Sequence, residues 1–355
     1  MLDSELLPLI TPPKKICILR LSAIGDVTHV IPVVRAIQQQ WPACEITWIC
    51  GKFEYKLLRV IQGIRFICFD KTRGFKAYLE LWNTLRGEVF DVLLHMQVAA
   101  RANVASFAIK SRIKIGWDAA RSRDMHQLCI NRRVPAHYQQ HQVQGFLSFA
   151  RALGLKADEP GWCIPLTEKA LKFADEYIDK SKRVLIISAC SSHKLRNWTA
   201  QRYAQLADYA ISEYGMQVIL SGGPSEIELN MAEDITKDMQ HQALNLVGKD
   251  TLEQLLGLLS KATVVVSPDS GPTHIANALG VPVIGLYACS WSRRSGPYNS
   301  LDLCVDKFEV AARQFLNKSA DSLRWGTKIE KPGVMDLILL DDVKQQLDKV
   351  VAKTL

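Results

Sequence analysis

Residues 267–282 read SPDSGPTHIANALGVP. An apolar run, 262–266, precedes them, and Pro268, Asp269, Ser270, Gly271 and Pro272 lead into a helical pattern over 273–279. The run has the length and continuous apolarity of a strand buried on both faces of a parallel sheet. Pro272 suits a first helical turn and Ser270 an N-cap, so the stretch reads as strand, tight turn and helix start. The N–H groups of a first helical turn lack helical partners and carry partial positive charge, which makes this a phosphate site. Pro272 has no N–H, so Gly271, Thr273 and His274 must supply the donors.

The same alternation extends outward in both directions. Towards the C-terminus lies a strand at 281–286; upstream, strands at 183–188 and 217–220 alternate with helices at 200–214, 225–238 and 252–259. An independent series fills the first half, with strands at 15–21, 45–50, 64–69, 91–96 and 113–115 and helices at 27–40, 75–85 and 101–109. Strands alternating with helices predict α/β architecture, here two Rossmann-like doubly wound domains. The stretch LKADEPGWCIPL, 155–166, suits a linker, giving expected domains of 1–158 and 159–335. An amphipathic pattern over 340–351 predicts a terminal helix within 336–355, expected to pack back on the first domain.

Composition narrows the partners. The chain has 355 residues, 48% hydrophobic and 23% charged, enough for a large core. No apolar run has the roughly 18–20 residues a membrane span needs, and the opening MLDSELLPLITPPKK carries acids ahead of its apolar residues, unlike a secretory signal. A cytoplasmic location is therefore expected. The nine cysteines form no CxxC pair, and Cys17, Cys50 and Cys68 sit in strand-like runs as small hydrophobes, which points to reduced thiols. The net charge of +8 is uneven: residues 1–150 hold 20 Lys plus Arg against 11 acids, the remainder 24 against 25. An anionic substrate or membrane surface would suit the basic half, as would an ordinary soluble surface. Nucleic acid fits poorly, because no single element interleaves the cations with aromatics.

A second informative stretch is LRLSAIGDVTHV, 19–30, where a buried strand ends, the chain turns at Ser22 to Gly25, and Asp26 opens a helix at the carboxyl edge of the sheet. Asp26 is either an N-cap or a ligand contact, and Gly25 beside it permits close approach. No GxGxxG or GxxxxGK[ST] occurs, which disfavours a dinucleotide enzyme or a kinase. With no Asp-x-Asp and no HExxH, a phosphate here must be held by backbone dipoles and cations, without a metal. Candidates follow the second domain's first strand in IISACSSHKLRNW, 186–198: the hydroxyls of Ser191 and Ser192, and Lys194 or Arg196 as the cation. In SGGPSEIE, 221–228, Glu226 suits either a ribose or the helix dipole. His274 is a donor to an oxygen or a structural histidine. In the basic half Arg73 and Lys76 flank Gly74, while Gln97, Arg101, Arg121 and Arg123 fall near strand ends, where they would line a cleft for an anionic acceptor.

LSAIGD at 21–26 together with SPDSGPTHIANALGVPVIGLY at 267–287 resembles the ADP-heptose:lipopolysaccharide heptosyltransferases, glycosyltransferase family 9. The resemblance covers most of the chain. CILRLSAIGDV, DKTRGFKAYLELW, KIGW and SPDSGP look most like the type I members that extend a single phosphorylated Kdo on lipid A. What the resemblance implies is a GT-B fold, an N-terminal acceptor domain and a C-terminal donor domain, with metal-independent, inverting transfer across the cleft and ADP-heptose as donor substrate rather than a cofactor. It makes Asp26 the catalytic base. It gives the donor to Asp269, Ser270, Gly271, Pro272, Thr273 and His274, with Glu226 on the nucleoside side. It matches a family lysine most nearly to Arg196, with Lys194 nearby, and family threonines to the region of Ser191 and Ser192. Ser22, Gly25 and the basic cluster would meet the Kdo-lipid A acceptor, at the inner face of the inner membrane. A transferase with another nucleotide sugar or acceptor, or a non-catalytic nucleotide-binding protein, would share these motifs.

Overall fold

A computed structural model describes residues 7–353. The chain divides between Pro165 and Leu166 into two compact units. The first contains β1 (Lys15–Leu19), α1 (Ile24–Gln40), β2 (Glu45–Gly51), α2 (Lys52–Leu58), β3 (Ile64–Phe69) and α3 (Phe75–Thr84). It continues with β4 (Phe90–His95), α4 (Ala100–Ser106), β5 (Ser111–Gly116), β6 (Arg132–Arg133) and α5 (Gln142–Leu153). The six strands are parallel in the order β3-β2-β1-β4-β5-β6. Building proceeds one way from β1 to β3, then crosses back to β4, so the order reverses between β1 and β4, with Leu19 opposite His95. One face is closed by α3 and α4, whose Ala77, Leu81, Ala102 and Ala105 pack on Cys17, Leu19, Ile49 and Leu93. Strand residues of opposite parity, among them Ile16, Ile18 and Trp48, are fully buried on the other face, where α1 packs with α5.

The second unit opens with α6 (Glu168–Tyr177), β7 (Val184–Ile187), α7 (Ala200–Tyr214), β8 (Gln217–Leu220) and α8 (Glu226–Asp238). Then come β9 (Leu244–Asn245), α9 (Leu252–Ser260), β10 (Val264–Pro268), α10 (Gly271–Ala278) and β11 (Val283–Tyr287). It closes with α11 (Ser292–Ser295), β12 (Val305–Asp306), α12 (Phe308–Leu316) and α13 (Leu340–Lys353). Its parallel sheet runs β12-β11-β10-β7-β8-β9 and reverses between β7 and β10. Each unit is thus a Rossmann-like doubly wound layer.

Two differences from the sequence expectation have physical causes. α1 starts at Ile24, so Asp26 lies in its first turn rather than opening it. α5 went unseen because its N-cap is His141, whose Nδ1 accepts from the Val143 N–H at 3.2 Å, in place of a Ser, Thr, Asp or Asn signal. α13 packs within the second unit, where Val343, Leu347, Val350 and Val351 are buried in the core against α7. Among the described residues no helix is long and apolar enough to cross a membrane.

Two buried histidines give the first unit an acid weakness. His95 and His126 have ring centroids 4.5 Å apart. Burial, with His126 beside it, pushes His95 down to about 3, and burial pushes His126 down to about 4. Unfolded histidine binds its proton near pH 6.5, so below that value the unfolded chain takes up protons the native state refuses. Stability should therefore be level above about pH 6.5 and fall towards pH 4 by about 1.4 kcal/mol per pH unit for each histidine. Urea midpoints between pH 7 and pH 5 measure this, and His95→Leu should flatten the slope; a wild-type midpoint constant over that range would contradict it.

Candidate functional site

In the first unit, β1 runs out at Leu19 and the chain crosses to α1 through Arg20, Leu21, Ser22 and Ala23. Gln97, just beyond β4, fixes this turn: its side-chain oxygen accepts from the Leu21 N–H at 2.7 Å and the Ser22 N–H at 3.4 Å. Its amide donates to Ser22 Oγ at 3.4 Å. Ala23 occupies the N-cap position and has no group with which to cap. The carboxylate of Asp26 does that work, accepting from the Ala23 N–H at 3.3 Å. Capping is only part of its role, because Oδ2 also pairs with the Arg20 guanidinium while Oδ1 accepts from the Gln142 amide at the start of α5. Ser22, Gln97 and Asp26 are therefore brought together, with Gly25 in the same helical turn.

Arg20 and Gln142 are the residues of the first unit's site that sequence reasoning missed. Arg20 is nearly buried, with 12% of its side chain exposed, and donates to the Met96 carbonyl at 2.7 Å. Its guanidinium lies 5.3 Å from the centroid of the Phe146 ring. A lone arginine between Leu19 and Leu21 at the end of an apolar strand was the available signal. Buried Glu54 completes the electrostatics: burial pushes its carboxyl up and the Asp26 charge adds to this, against Lys71 and Arg20.

The basic candidates are less convergent. Arg121 is held by Asp118, donates to the Pro135 carbonyl at 2.9 Å and lies 4.5 Å from the Trp117 ring centroid. Arg73 pairs with Glu80 at 2.6 Å. Lys76, Arg101 and Arg123 are exposed. Among the described residues none of these five is hydrogen-bonded to Asp26, Ser22 or Gln97.

In the second unit the turn after β10 differs from expectation in one respect. Ser270 has the extended backbone of an N-cap, φ −144° and ψ 169°, yet its hydroxyl does not cap. It lies 2.8 Å from Ser267 Oγ and 3.4 Å from Thr273 Oγ1, and Thr273 donates to the Pro268 carbonyl at 2.6 Å. The hydroxyls tie the turn to the strand end, and no side-chain cap is spent on the N–H groups of Gly271 and Thr273. Beside them, Asp269 faces His274 Nε2 at 3.5 Å and accepts from Ser295 Oγ at 3.3 Å. Burial alone would push the Asp269 carboxyl up, but the His274 hydrogen bond and charge, with Lys328 and Ser290, hold it down to about 2.

Arg196 is committed elsewhere: its guanidinium grips Glu330, with Nε donating at 2.6 Å. Lys194 and Ser192 are exposed, while Ser191 is buried with its hydroxyl donating to the His193 carbonyl at 3.1 Å. A cation absent from the sequence reading, Lys328, lies in charge range of Asp269. Its side chain reaches the surface, yet partial burial of its ammonium pulls its pKa down. Lys328 lines a solvent-open hollow of about 300 Å³ with Ser290, Trp291, Arg294, Arg324 and Trp325. The segment RWGTKIEK has no periodicity that would have exposed it. Glu226, first in α8, is exposed; Glu228 instead turns into the loop, accepting from the Gly223 N–H at 2.7 Å. Asp250 beside Glu228 is pushed up to about 7, chiefly by burial.

The model of glycosyltransferase family 9 (heptosyltransferase) matches residues 78–321. The chain is also 42% identical over 345 residues to the lipopolysaccharide core heptosyltransferase OpsX of Haemophilus influenzae, covering 97% of this chain and 99% of that one. The chain belongs to the family 9 heptosyltransferases. Solved members share the fold at low identity. A family 9 glycosyl transferase from Veillonella parvula has TM-score 0.79 at 18% identity, covering 96% of this chain and 97% of that one. The Escherichia coli heptosyltransferase WaaC, solved with ADP, has TM-score 0.73 at 19% identity, covering 95% and 99%. This heptosyltransferase has the GT-B fold, built from two Rossmann-like units.

The turn that carries Asp26 leaves no space beside β2. Gly51 donates to the Leu21 carbonyl at 2.8 Å, and a Cβ on Gly51 would lie 2.6 Å from that oxygen and against the Glu54 carboxylate. Gly51→Ala should destabilise the protein by about 1–3 kcal/mol through this overpacking, read as a lower melting temperature. An unchanged melting curve would mean that the turn yields without cost.

Proposed function

We propose that this heptosyltransferase moves heptose from ADP-L-glycero-D-manno-heptose to the Kdo of Kdo-lipid A, with inversion and without a metal, in assembly of the lipopolysaccharide inner core. The observation that carries the reading is the carboxylate of Asp26, held by Arg20 and Gln142 at the β1/β4 reversal. Asp26 takes the proton of the Kdo hydroxyl as that oxygen bonds to the anomeric carbon. The bond from that carbon to the ADP oxygen breaks, and its electron pair leaves with ADP. Arg20 and Gln142 do not touch substrate; they hold the carboxylate aimed. The first turn of α10, with Gly271, Thr273 and His274 as donors, receives the charge that develops on the leaving phosphate. Lys328 supplies the nearby cation, while Arg196 must release Glu330 to do so. Asp269 orients the turn or binds sugar hydroxyls. Ser191 shapes its own loop, and Lys76, Arg101 and Arg123 meet the anionic acceptor.

The likeness to the lipopolysaccharide core heptosyltransferase OpsX supports a lipopolysaccharide-core acceptor, and the CILRLSAIGDV and KIGW segments support the type I assignment and with it the Kdo-lipid A acceptor. The basic first half and the lack of a membrane-crossing helix among the described residues support action from the cytoplasm at the inner face of the inner membrane.

Asp26→Asn should lower transfer from ADP-heptose to Kdo-lipid A by about 10²–10⁴-fold, the usual worth of a general base, with ADP affinity unchanged by calorimetry. Undiminished transfer would remove Asp26 from the mechanism. EDTA should leave the rate unaltered; its abolition, restored by a divalent cation, would overturn the metal-free step. Acceptors with and without a phosphate on the Kdo, offered with one donor, decide the subtype.

Lys328→Met should weaken ADP binding about tenfold or more, the worth of one charged hydrogen bond, while Lys194→Met changes it little. The reverse ranking would give the cation role to Lys194.

A further inference from the structure

Apart from Lys76, the outer face of α3 has no role in the chemistry above, and its composition is unusual for a solvated helix. Ala77, Leu81 and Leu85 turn inward onto the sheet. Phe75, Leu79 and Trp82 turn outward and are 74%, 49% and 52% exposed. At positions i, i+4 and i+7 they form a single ridge within an arc of about 60° at roughly 100° per residue. The stretch DKTRGFKAYLELW entered the sequence reading as a helix, through its cations and as part of the family resemblance, without its exposed apolar face.

We infer that this ridge seats α3 in the headgroup layer of an anionic lipid bilayer, placing the Asp26 turn beside the membrane that bears the acceptor. The inference extends the heptosyl-transfer reading, on which the choice of a lipid-borne partner rests. Charge selects the occupant. Residues 71–112 hold seven Lys and Arg against three acids, and of those acids Glu80 and Glu88 are paired with Arg73 and Arg65. Lys71, Lys76 and Arg86 border the ridge and are exposed. Aromatic and leucine side chains beside lysine and arginine are the composition of a helix lying in a membrane interface. The ridge exposes on the order of 300 Å² of apolar surface, well short of the roughly 800 Å² per partner that a stable protein interface buries. Lys71, in the turn that leads into α3, lies in charge range of Glu54, as do Arg20 and Asp26. A helix seated on acidic headgroups would therefore hold Asp26 close to the plane in which a lipid-linked sugar sits.

The test uses the full chain and vesicles of phosphatidylethanolamine with phosphatidylglycerol, compared with phosphatidylcholine alone. The wild type should sediment with the acidic vesicles, weaken in 0.5 M salt, and bind the neutral ones poorly. Leu79→Gln/Trp82→Gln should lose at least tenfold in vesicle affinity, and its melting curve, these positions being exposed, should match wild type. On a deacylated, water-soluble Kdo acceptor the double variant should transfer at the wild-type rate; on acceptor embedded in vesicles it should be slower. Equal vesicle binding by variant and wild type, failure of the wild type to bind, or equal binding to neutral vesicles would each overturn the inference, as would a ridge-dependent dimer in sedimentation velocity. No transfer to the soluble acceptor by either protein, with vesicle binding intact, would overturn the proposed reaction and not the membrane face.

Discussion

A parallel sheet that grows in both directions from a starting strand must reverse once, and at the reversal two neighbouring carboxyl ends send their chains to opposite faces. Nothing covers the gap between them. In the first unit the gap lies between β1 and β4, and the groups beside it are Arg20, Ser22 and Asp26 after β1 and Gln97 after β4. In the second it lies between β7 and β10, flanked by the loop of Ser191 and by the turn of Ser270. Every polar group at such a place must be satisfied by neighbouring side chains, because the sheet ladder has ended. That requirement explains why Gln97 serves two backbone N–H groups and why the Ser267, Ser270 and Thr273 hydroxyls bond one another instead of capping α10.

The same constraint shapes the acid. A carboxylate has about four acceptor positions. On Asp26, Oδ2 takes the Ala23 N–H and Arg20, and Oδ1 takes Gln142. The remaining capacity is on Oδ1, and 22% of the side chain is exposed. A partly buried ion pair returns little net stability, since desolvating both charges offsets their attraction. Here the pair fixes direction: Arg20 is itself anchored to the Met96 carbonyl, on the far side of the reversal. Strand pairing between β1 and β4 is thereby coupled to the aim of the acid.

How much of this was legible follows from which physics each feature uses. Continuous apolar runs and turn residues made the longer strands, the two-domain plan and both turns readable, while the two-residue strands β6, β9 and β12 were too short to leave a pattern, and SPDSGP announced its helix start. Asp26 was visible as an acid at a sheet edge, but its choice between capping and chemistry was not, because both roles use the same atoms and the structure shows it capping while paired. Arg20 carried a signal, a charge inside an apolar run, that periodicity treats as noise. Gln142 and Lys328 carried none: they reach their positions through tertiary packing of a helix without a standard N-cap and of a segment without a repeat. Ser270 shows the converse failure, where a correct local propensity was overridden by a better partner, the Ser267 hydroxyl.

Spacing and packing point to different cations in the second unit. Arg196 falls at the spacing a family lysine would have, yet its guanidinium is engaged by Glu330, and Arg196 holds the Glu330 carboxyl below its usual range. An anion arriving at the turn would have to compete with that charge-assisted pair. Lys328 stands differently: partial burial lowers its pKa, the Asp269 charge opposes this, and Arg196 and Arg294 add to the lowering. A crowded ammonium among cations is a group whose charged form gains from an incoming phosphate. Glu330 is two residues from Lys328, so one short segment both occupies Arg196 and presents the lysine. Binding that drew on both cations would have to move that segment, and binding that used Lys328 alone would leave the Arg196–Glu330 pair in place as its support.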